Sequence, residues 1–428
     1  MRLTRRTLLT SAIGSLAAPA ARLARAEPSQ LTLKLHHAFS AVSAPHEKFL
    51  APWARNVEAV SDGRIRIELF PSMQLGGAPA QLLDQARDGS ADIVWAAPTT
   101  QPGRFAKLEA FELPFLLSRR ALVNSKAIQD FAATNLQEEF REVRPLCFSC
   151  RDPGVLHTGR AINTLNDLKG LKLHAPSRLA AETIGSLGAY GITMPTPQVP
   201  MALAARAIDG CLDPWDAVAG LRLNDVLTHH TDFIDAALST VPFVLAMNRA
   251  AYERLPRDLR TVIDDHAGQA AAGMAGAMWD FEAKAVAAAA RVRGHSITVI
   301  GADEVARWRK RTEPVIAAWQ NQMKGHKLDG GKLVAAVRDL LAKYADEPEV
   351  EPARSSAASR PARPAEQKIV TQPSPPQQPT QTRTEAPMPP KPEAPAVDAA
   401  ARLRAAPSNA TSPAPAAATK LKELDIPL

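Results

Sequence analysis

Cysteine and long apolar runs are scarce in this chain of 428 residues, and their scarcity excludes several classes of protein. Three cysteines are too few for the disulfide framework of a small secreted domain. After residue 26 no window of about 18 residues is apolar throughout, as a membrane-spanning helix requires. We therefore expect the rest of the chain not to be inserted in a membrane. Its length is enough to bury a large core and predicts two domains.

Catalytic signatures are also missing. The sequence contains no GxSxG nucleophile elbow, no HExxH zinc motif and no phosphate-binding loop. His229, His230 and Asp232 come closest to a metal site, but adjacent histidines beside one acid are more often polar loop residues. We predict that the protein is not an enzyme and that it holds no metal and no cofactor.

The cysteines give no sign of a local disulfide. Cys147 and Cys150 lie in an apolar run, residues 145–150, that predicts a β-strand, and Cys211 stands alone. Residues three apart on a strand point to opposite faces, which disfavours a bridge between the first two. All three are predicted to be small buried hydrophobic residues.

The formal net charge of +7 comes mainly from the N-terminus. Residues 1–26 hold five arginines and no acid, and residues 346–428 hold ten basic and ten acidic residues. The body, 27–345, is left with 36 basic and 34 acidic residues, and no basic stripe with interleaved aromatic residues occurs. We expect no nucleic-acid partner.

Residues 1–26 have the pattern of a secretory signal peptide. Arg5-Arg6 precede the apolar run Leu8–Ala21, and Ala24-Arg25-Ala26 supplies small residues at a cleavage site. The paired arginines favour the twin-arginine route, and the predicted location is the periplasm.

Two stretches of alternating strands and helices predict an α/β protein with two lobes. Residues 165–215 follow the order strand, helix, strand, helix, strand, and residues 31–96 repeat it. Ligands of parallel α/β sheets bind beyond the carboxyl ends of the strands. A strand at 242–248 is expected to return to the first lobe, and an uninterrupted helical pattern at 256–293 predicts a helix about 50 Å long that bridges both lobes.

These patterns set the expected domain boundaries. The first lobe spans 27–151 with a return segment at about 240–279, and the second spans 152–239 with a return segment at about 280–344. From residue 346 about a fifth of the residues are proline and aromatic residues are absent, so 346–428 are predicted to be a disordered tail. Its terminal KLKELDIPL is either a short docking segment or an idle end.

Several motifs, in order, resemble those of the solute-binding proteins of TRAP transporters, the DctP-type family. They are FPSMQLGGAPAQLLDQARDGSADIVW, FELPFLL, INTLNDLKGLKL and AIDGCLDPW, and the resemblance covers about 31–344. It implies a two-lobed periplasmic binding protein with a cleft between the lobes. It also implies that a monomer captures a small organic acid by hinge closure and delivers it to the membrane permease subunits.

The expected binding residues follow from the same resemblance. The family's carboxylate-binding arginine after GLK is replaced here by His174, and Arg178 could supply the cation instead. The second family arginine falls on Gly154, with Arg151 and His157 as the nearest candidates. Most of the other candidates lie at strand ends: Asp213, where the family often has asparagine, and Trp215, Phe39, Trp95 and Thr196. Met73 and Gln74, before the Gly76-Gly77 turn, complete the candidate cleft.

A second function fits the same lobes. The protein could be a periplasmic ligand sensor or scaffold that uses the tail as its tether. Neighbouring genes for membrane permease subunits would favour transport, and a neighbouring kinase gene would favour sensing.

Overall fold

The computed structural model describes residues 30–350, so the predicted signal peptide and nearly all of the predicted tail lie outside the described residues. Two β-sheets, each flanked by helices, make up this part of the chain. The strands are β1 (Leu31–His37), β2 (Ile65–Phe70), β3 (Ile93–Ala96), β4 (Arg144–Cys150), β5 (Val155–Thr158), β6 (Lys172–Ala175), β7 (Tyr190–Thr193), β8 (Gly210–Asp213), β9 (His229–Phe233), β10 (Pro242–Met247) and β11 (Ser296–Ile300). The α-helices are α1 (Ala51–Val60), α2 (Leu82–Asp88), α3 (Ala121–Asn135), α4 (Arg178–Ser186), α5 (Val199–Ala204), α6 (Trp215–Gly220), α7 (Arg249–Glu253), α8 (Arg257–Asp265), α9 (Gly268–Val292), α10 (Ala302–Gly325) and α11 (Gly330–Lys343).

Each sheet organises one lobe. The first sheet has the strand order β2-β1-β3-β10-β4, and the second has the order β11-β9-β5-β8-β6-β7. The chain crosses between the lobes directly after β4 and returns after β9, and β11 later joins the second sheet. The predicted return of the strand at 242–248 to the first lobe is confirmed, as is the two-lobed α/β class.

The prediction of parallel strands holds for part of each sheet. β6 pairs in parallel with β7 and β8, as the pattern in residues 165–215 predicted. β10 runs antiparallel to β3 and β4, and β5 runs antiparallel to β8 and β9, so both sheets are mixed. β5 and β10 are the first strands that the chain forms after each crossing between the lobes.

The long helical pattern is broken once, contrary to the prediction of a single helix over 256–293. α8 ends at Asp265, and α9 begins at Gly268, whose φ of 59° lies in the left-handed region. The carbonyl of His266 between them accepts a hydrogen bond from Trp53 Nε1 (2.7 Å), so the first-lobe core fixes the break. α9 has 25 residues, about 37 Å, and packs against α3 and β4 in the first lobe and α6 in the second. The bridging role is therefore confirmed for the shorter helix.

The helix α10 also contacts both lobes. Trp308, near the start of α10, packs with Phe233 in the second-lobe core, whereas Trp319 packs in the first-lobe core. α11 then lies against α3. All three cysteines are buried and free, as expected, and no helix among residues 30–350 is long and apolar enough to cross a membrane.

The contact between α3 and α9 leads to a stability prediction. A Cβ on Gly276 would lie 2.6 Å from the Cα of Leu122, whereas a Cβ on Gly273 would meet side-chain atoms only at 3.7 Å or more. We expect Gly276→Ala to lower the free energy of unfolding by about 1–3 kcal/mol through overpacking. Gly273→Ala, the matched control in the same helix, should raise it by up to about 1 kcal/mol. Urea denaturation tests both, and equal effects would contradict this account of the contact.

Candidate functional site

The carboxyl ends of the parallel strands of both sheets come together at the lobe interface. β1, β3 and β4 end there in the first lobe, and β6 and β8 end there in the second. We call this region the interlobe cleft and define it by Phe39, Arg151, Ser177, Asp213 and Trp215, which follow or end these strands. Ligand sites of open α/β sheets lie at such edges.

Arg151, which follows β4, forms a buried ion pair across the cleft. Its Nε and Nη2 donate hydrogen bonds to the two carboxylate oxygens of Asp216 on α6, at 3.0 and 2.5 Å. Both side chains are 12% exposed. Burial opposes the charge of Arg151, but nearby carboxylates, Asp216 first, raise its pKa above the ordinary value. The Nη1 edge of the guanidinium donates no hydrogen bond within residues 30–350 and remains free for a second carboxylate.

An aromatic cluster lies beneath this guanidinium. The ring of Phe39 is 5.5 Å from that of Trp95, 5.7 Å from Phe243 and 6.1 Å from Trp279. Arg151 lies 5.1 Å from the ring of Trp279 and 5.8 Å from that of Phe39, within the range of cation–π contacts. The structure thus brings together three sequence candidates: Arg151, Phe39 and Trp95.

Three polar nitrogens around the cluster lack partners. Nε1 of Trp95, Nε1 of Trp279 and Nδ1 of His37 are buried and make no hydrogen bond within residues 30–350. All three rings pack around Phe39, with His37 at 6.4 Å. A buried donor without an acceptor costs about 1–3 kcal/mol. The cluster therefore has capacity for a ligand that carries hydrogen-bonding groups on an apolar body.

His174 is fully buried and uses both ring nitrogens. Nδ1 lies 2.7 Å from Oδ2 of Asp213, and Nε2 lies 3.1 Å from the carbonyl oxygen of Met194. Because both partners are acceptors, both nitrogens must donate and the ring is an imidazolium. Burial opposes this charge, but the charge and hydrogen bond of Asp213 and the Met194 carbonyl outweigh it and raise the pKa of His174. The position keeps a cation, which Asp213 neutralises.

His157 begins a chain of neutral histidines. Nε2 of His157 donates a hydrogen bond to the carbonyl oxygen of Asp213 (3.0 Å), so Nδ1 of the same neutral ring is an acceptor. This Nδ1 accepts a hydrogen bond from Nδ1 of His230 (2.7 Å). Nε2 of His230 in turn lies 3.0 Å from Nδ1 of His295. Burial, and then the neighbouring histidines, lower the pKa of His230 to about 4, and burial and His230 lower that of His157 well below its usual value. Trp215 packs against the rings of His157 and His230. His157 therefore supplies no cation to the cleft.

Arg178 lies apart from the aromatic cluster. Its guanidinium contacts Glu109 (2.9 Å) in the first lobe, Glu182 (2.6 Å) on its own helix and Gln322 (3.3 Å) on α10. Arg178 thus joins the lobes through an ion pair at the edge of the interface. The remaining candidates are Met73, partly buried beside the first-lobe core, Gln74, exposed, and Thr196, partly exposed before α5.

Sequence reasoning missed several residues of this interface. Asp216 directly follows a candidate, Trp215, so its place after β8 could have revealed it. Glu112, in the FELPFLL motif, is 2% exposed. Burial raises its pKa to about 7, although hydrogen bonds from Thr99 and Ser177 oppose the shift. Trp279 carried no local signal, because only the packing of α9 brings it to the cleft.

The raised pKa of Glu112 predicts a pH-dependent stability. In the unfolded chain a glutamate titrates near 4.3, so between about pH 4.5 and 7 the folded state binds more protons and the stability falls as the pH rises. We expect Glu112→Gln to raise the free energy of unfolding at pH 8 by an amount on the order of 3 kcal/mol, and to give no gain at pH 4.5. Denaturation at both pH values measures this, with the exposed Glu138→Gln as the control. A gain that is independent of pH would contradict the assignment.

Comparison with known proteins identifies the family to which this two-lobed architecture belongs. Residues 36–322 match the family model described as bacterial extracellular solute-binding protein, family 7 (DctP). A solved TRAP solute-binding protein from Rhodoferax ferrireducens T118, in complex with copurified benzoate, is 37% identical with a TM-score of 0.71, over 74% of this chain and 99% of that one. A marine metagenome TRAP protein specific for aromatic acid ligands, in complex with 3-hydroxybenzoate, is 36% identical with a TM-score of 0.72 over the same shares.

A curated relative matches this chain over almost its whole length. The C4-dicarboxylate-binding periplasmic protein of Rhodobacter capsulatus is 24% identical over 349 residues, which cover 79% of this chain and 99% of that protein. The family model covers more than half of the chain. The chain therefore belongs to bacterial extracellular solute-binding protein family 7, the DctP family of TRAP solute-binding proteins, and is a substrate-binding receptor rather than an enzyme.

Proposed function

We propose that this protein captures an aromatic monocarboxylate in the interlobe cleft and presents it to the membrane subunits of a TRAP transporter. The observation that carries the proposal is Arg151, which has one guanidinium edge free above the cluster of Phe39, Trp95 and Trp279. A carboxylate suits this edge, since planar guanidinium groups bind carboxylates through two parallel hydrogen bonds. The aromatic ring of the ligand would then pack against the cluster.

The proposed anchor is Arg151 rather than Arg178 or His174. Arg178 already contacts two carboxylates, and both nitrogens of His174 are engaged. Arg151 is bound on one edge only, and it lies between the lobes, where a ligand contact would stabilise the closed state.

The charges of the cleft favour a single carboxylate. Arg151 pairs with Asp216 and His174 pairs with Asp213, and burial, followed by the charge of Asp216, raises the pKa of Asp152 well above its ordinary value. A monocarboxylate adds one negative charge that Arg151 can share. A dicarboxylate would bring a second charge into a buried region without a matching cation.

The likeness to aromatic-acid receptors supports the same ligand class. The two related structures that are 36–37% identical hold benzoate and 3-hydroxybenzoate. The unpartnered indole N–H groups of Trp95 and Trp279 offer donors for a ring hydroxyl or for a carboxylate oxygen. An aromatic acid with a polar substituent would satisfy them.

Location and partners are part of the proposal. Relatives such as the Rhodobacter capsulatus protein are periplasmic, and Arg5-Arg6 in the first 26 residues favours the twin-arginine route to that compartment. We propose a periplasmic monomer that meets the permease subunits there. Cell fractionation tests the location, and sedimentation tests the monomeric state.

The first prediction concerns the ligand class. Benzoate and 3-hydroxybenzoate at about 100 times Kd should stabilise ligand-free refolded protein by about 2.7 kcal/mol and raise its melting temperature. Succinate and phthalate at the same concentrations should have little effect, because their second carboxylate lacks a cation. Thermal unfolding with this panel measures both. A shift with succinate and none with the aromatic monocarboxylates would refute the proposed class.

The second prediction concerns the anchor. Arg151→Lys keeps the positive charge beside Asp216 but removes the planar fork, so we expect the Kd for benzoate to rise at least about tenfold. Arg178→Lys, the matched control, should change it less than about threefold. Isothermal titration calorimetry measures the two values. The opposite order would move the anchor to Arg178, as sequence reasoning had left open.

A further inference from the structure

His37, the last residue of β1, carries a hydrogen-bonding atom that the fold of residues 30–350 leaves unused. Its side chain is fully buried, and its Nδ1 makes no hydrogen bond within this part of the chain. Its Nε2 lies 3.0 Å from Nδ1 of His46. Burial, followed by the charges of His46 and His36, lowers the pKa of His37 to about 3, so the ring is neutral at neutral pH. A neutral imidazole with one nitrogen engaged keeps the other for a ligand.

The residues before α1 fix the orientation of this ring. His46 lies on the π-helical turn Pro45–Leu50, and turns of this kind are uncommon and often occur at functional sites. Phe49, from the same turn, packs edge-on against Trp95 with the ring centres 5.0 Å apart. The turn is therefore anchored on the aromatic cluster, and from there His46 holds His37 by its Nε2.

The pairing of the strands places His37 beside the aromatic cluster of the cleft. β1 runs parallel to β3, and His37 is the register partner of Trp95. Register partners on neighbouring strands project from the same face of a sheet. The ring of His37 also lies 6.4 Å from that of Phe39. His37 thus belongs to the same face and the same strand ends as the cluster.

Of the unpartnered nitrogens around Phe39, only that of His37 is able to accept a hydrogen bond. The indole N–H groups of Trp95 and Trp279 are donors only, whereas a neutral imidazole nitrogen is an acceptor or a donor according to the tautomer. A hydroxyl group both donates and accepts, so it matches Nδ1 of His37 in either tautomer. A second carboxylate only accepts, so it matches one tautomer alone.

The distances between these groups limit the size of the ligand. The guanidinium of Arg151 lies 5.8 Å from the ring of Phe39, and the ring of His37 lies 6.4 Å from the same ring. The guanidinium and the imidazole are therefore at most about 12 Å apart, and hydrogen bonds of about 2.9 Å at both ends leave room for no more than one aromatic ring between them.

We propose that His37 selects a hydroxylated aromatic monocarboxylate, whose ring hydroxyl binds Nδ1 of His37 while its carboxylate binds Arg151. The inference rests on the proposed function and narrows it, because it assigns the residue that distinguishes a hydroxylated ring from a plain one. His46 is a positioning residue, which engages Nε2 and holds the imidazole in place.

Isothermal titration calorimetry of the full-length chain with benzoate, 3-hydroxybenzoate and 4-hydroxybenzoate tests the assignment. We expect the better hydroxybenzoate to bind the unaltered protein at least about tenfold more tightly than benzoate. His37→Phe keeps a planar ring but removes both nitrogens, so this preference should fall below about threefold, with little change in the Kd for benzoate. His37→Asn, which keeps a polar group, should restore part of the preference.

His36→Gln is the matched control. His36 precedes His37 on β1, so its side chain projects from the opposite face, where its nitrogens contact Oε1 of Gln85 (2.7 Å) and the backbone N–H of Leu75 (3.3 Å). This variant should leave the preference for a hydroxybenzoate unchanged. A merely structural role of His37 would weaken benzoate and the hydroxybenzoates by the same factor, which would overturn the proposal.

The same titrations separate this inference from the proposed function. If benzoate binds and neither hydroxybenzoate binds more tightly, or if the preference survives in His37→Phe, the assignment of His37 is wrong and the proposed function stands. If none of the three ligands binds the unaltered protein, the proposed ligand class is wrong, and the assignment of His37 is wrong with it.

Nitrogen-15 NMR of the unaltered protein, labelled in its histidine rings, supplies an independent readout. The better hydroxybenzoate should shift an imidazole nitrogen resonance that benzoate leaves in place, because only the hydroxyl reaches Nδ1. That resonance should be missing from His37→Phe. Identical imidazole spectra with both ligands would contradict the contact.

Discussion

The buried ion pair between Arg151 and Asp216 is the contact on which the interlobe cleft depends. An arginine with 12% exposure is tolerated only when its charge is paired, and its partner here comes from the other lobe. The pair fixes the end of β4 against the start of α6 and holds the guanidinium above Trp279 and Phe39. In a receptor that closes by hinge bending, such an arginine has two roles. One edge of its guanidinium joins the lobes through the ion pair, and the other edge is available to the ligand.

His174 and Asp213, at the positions where the sequence resemblance led us to expect an arginine and an asparagine, form a buried pair. A histidine whose nitrogens face a carboxylate and a carbonyl is charged, and the aspartate at 213 neutralises it at 2.7 Å. An asparagine there would leave the imidazolium buried without a counter-charge. The charge of His174 is thus committed to Asp213, and in our proposal the ligand-binding role falls to Arg151. Solute charge and shape are then set by one guanidinium edge and the aromatic cluster.

Local patterns were enough to predict the fold, whereas the site depends on contacts between distant residues. The strand and helix order of 165–215, the return of β10 and the bridging helix followed from periodicity and turn residues. The break before Gly268 was missed because it is fixed by a hydrogen bond from Trp53 to the carbonyl of His266, two residues that are 213 positions apart in the chain. Phe39 and Trp95 were proposed from their places at strand ends, and Arg151 as a nearby candidate for the second family arginine. Their grouping with Asp216, 65 residues from Arg151, and with Trp279 on α9 could not be inferred, because it depends on how the lobes meet.

A crystal structure with bound benzoate tests the central claim most directly. The account predicts a carboxylate oxygen within about 3 Å of Nη1 of Arg151, with the benzoate ring packed against Phe39 and Trp95 and the Arg151–Asp216 pair intact. A carboxylate bound to Arg178, with Nη1 of Arg151 left free of the ligand, would contradict it.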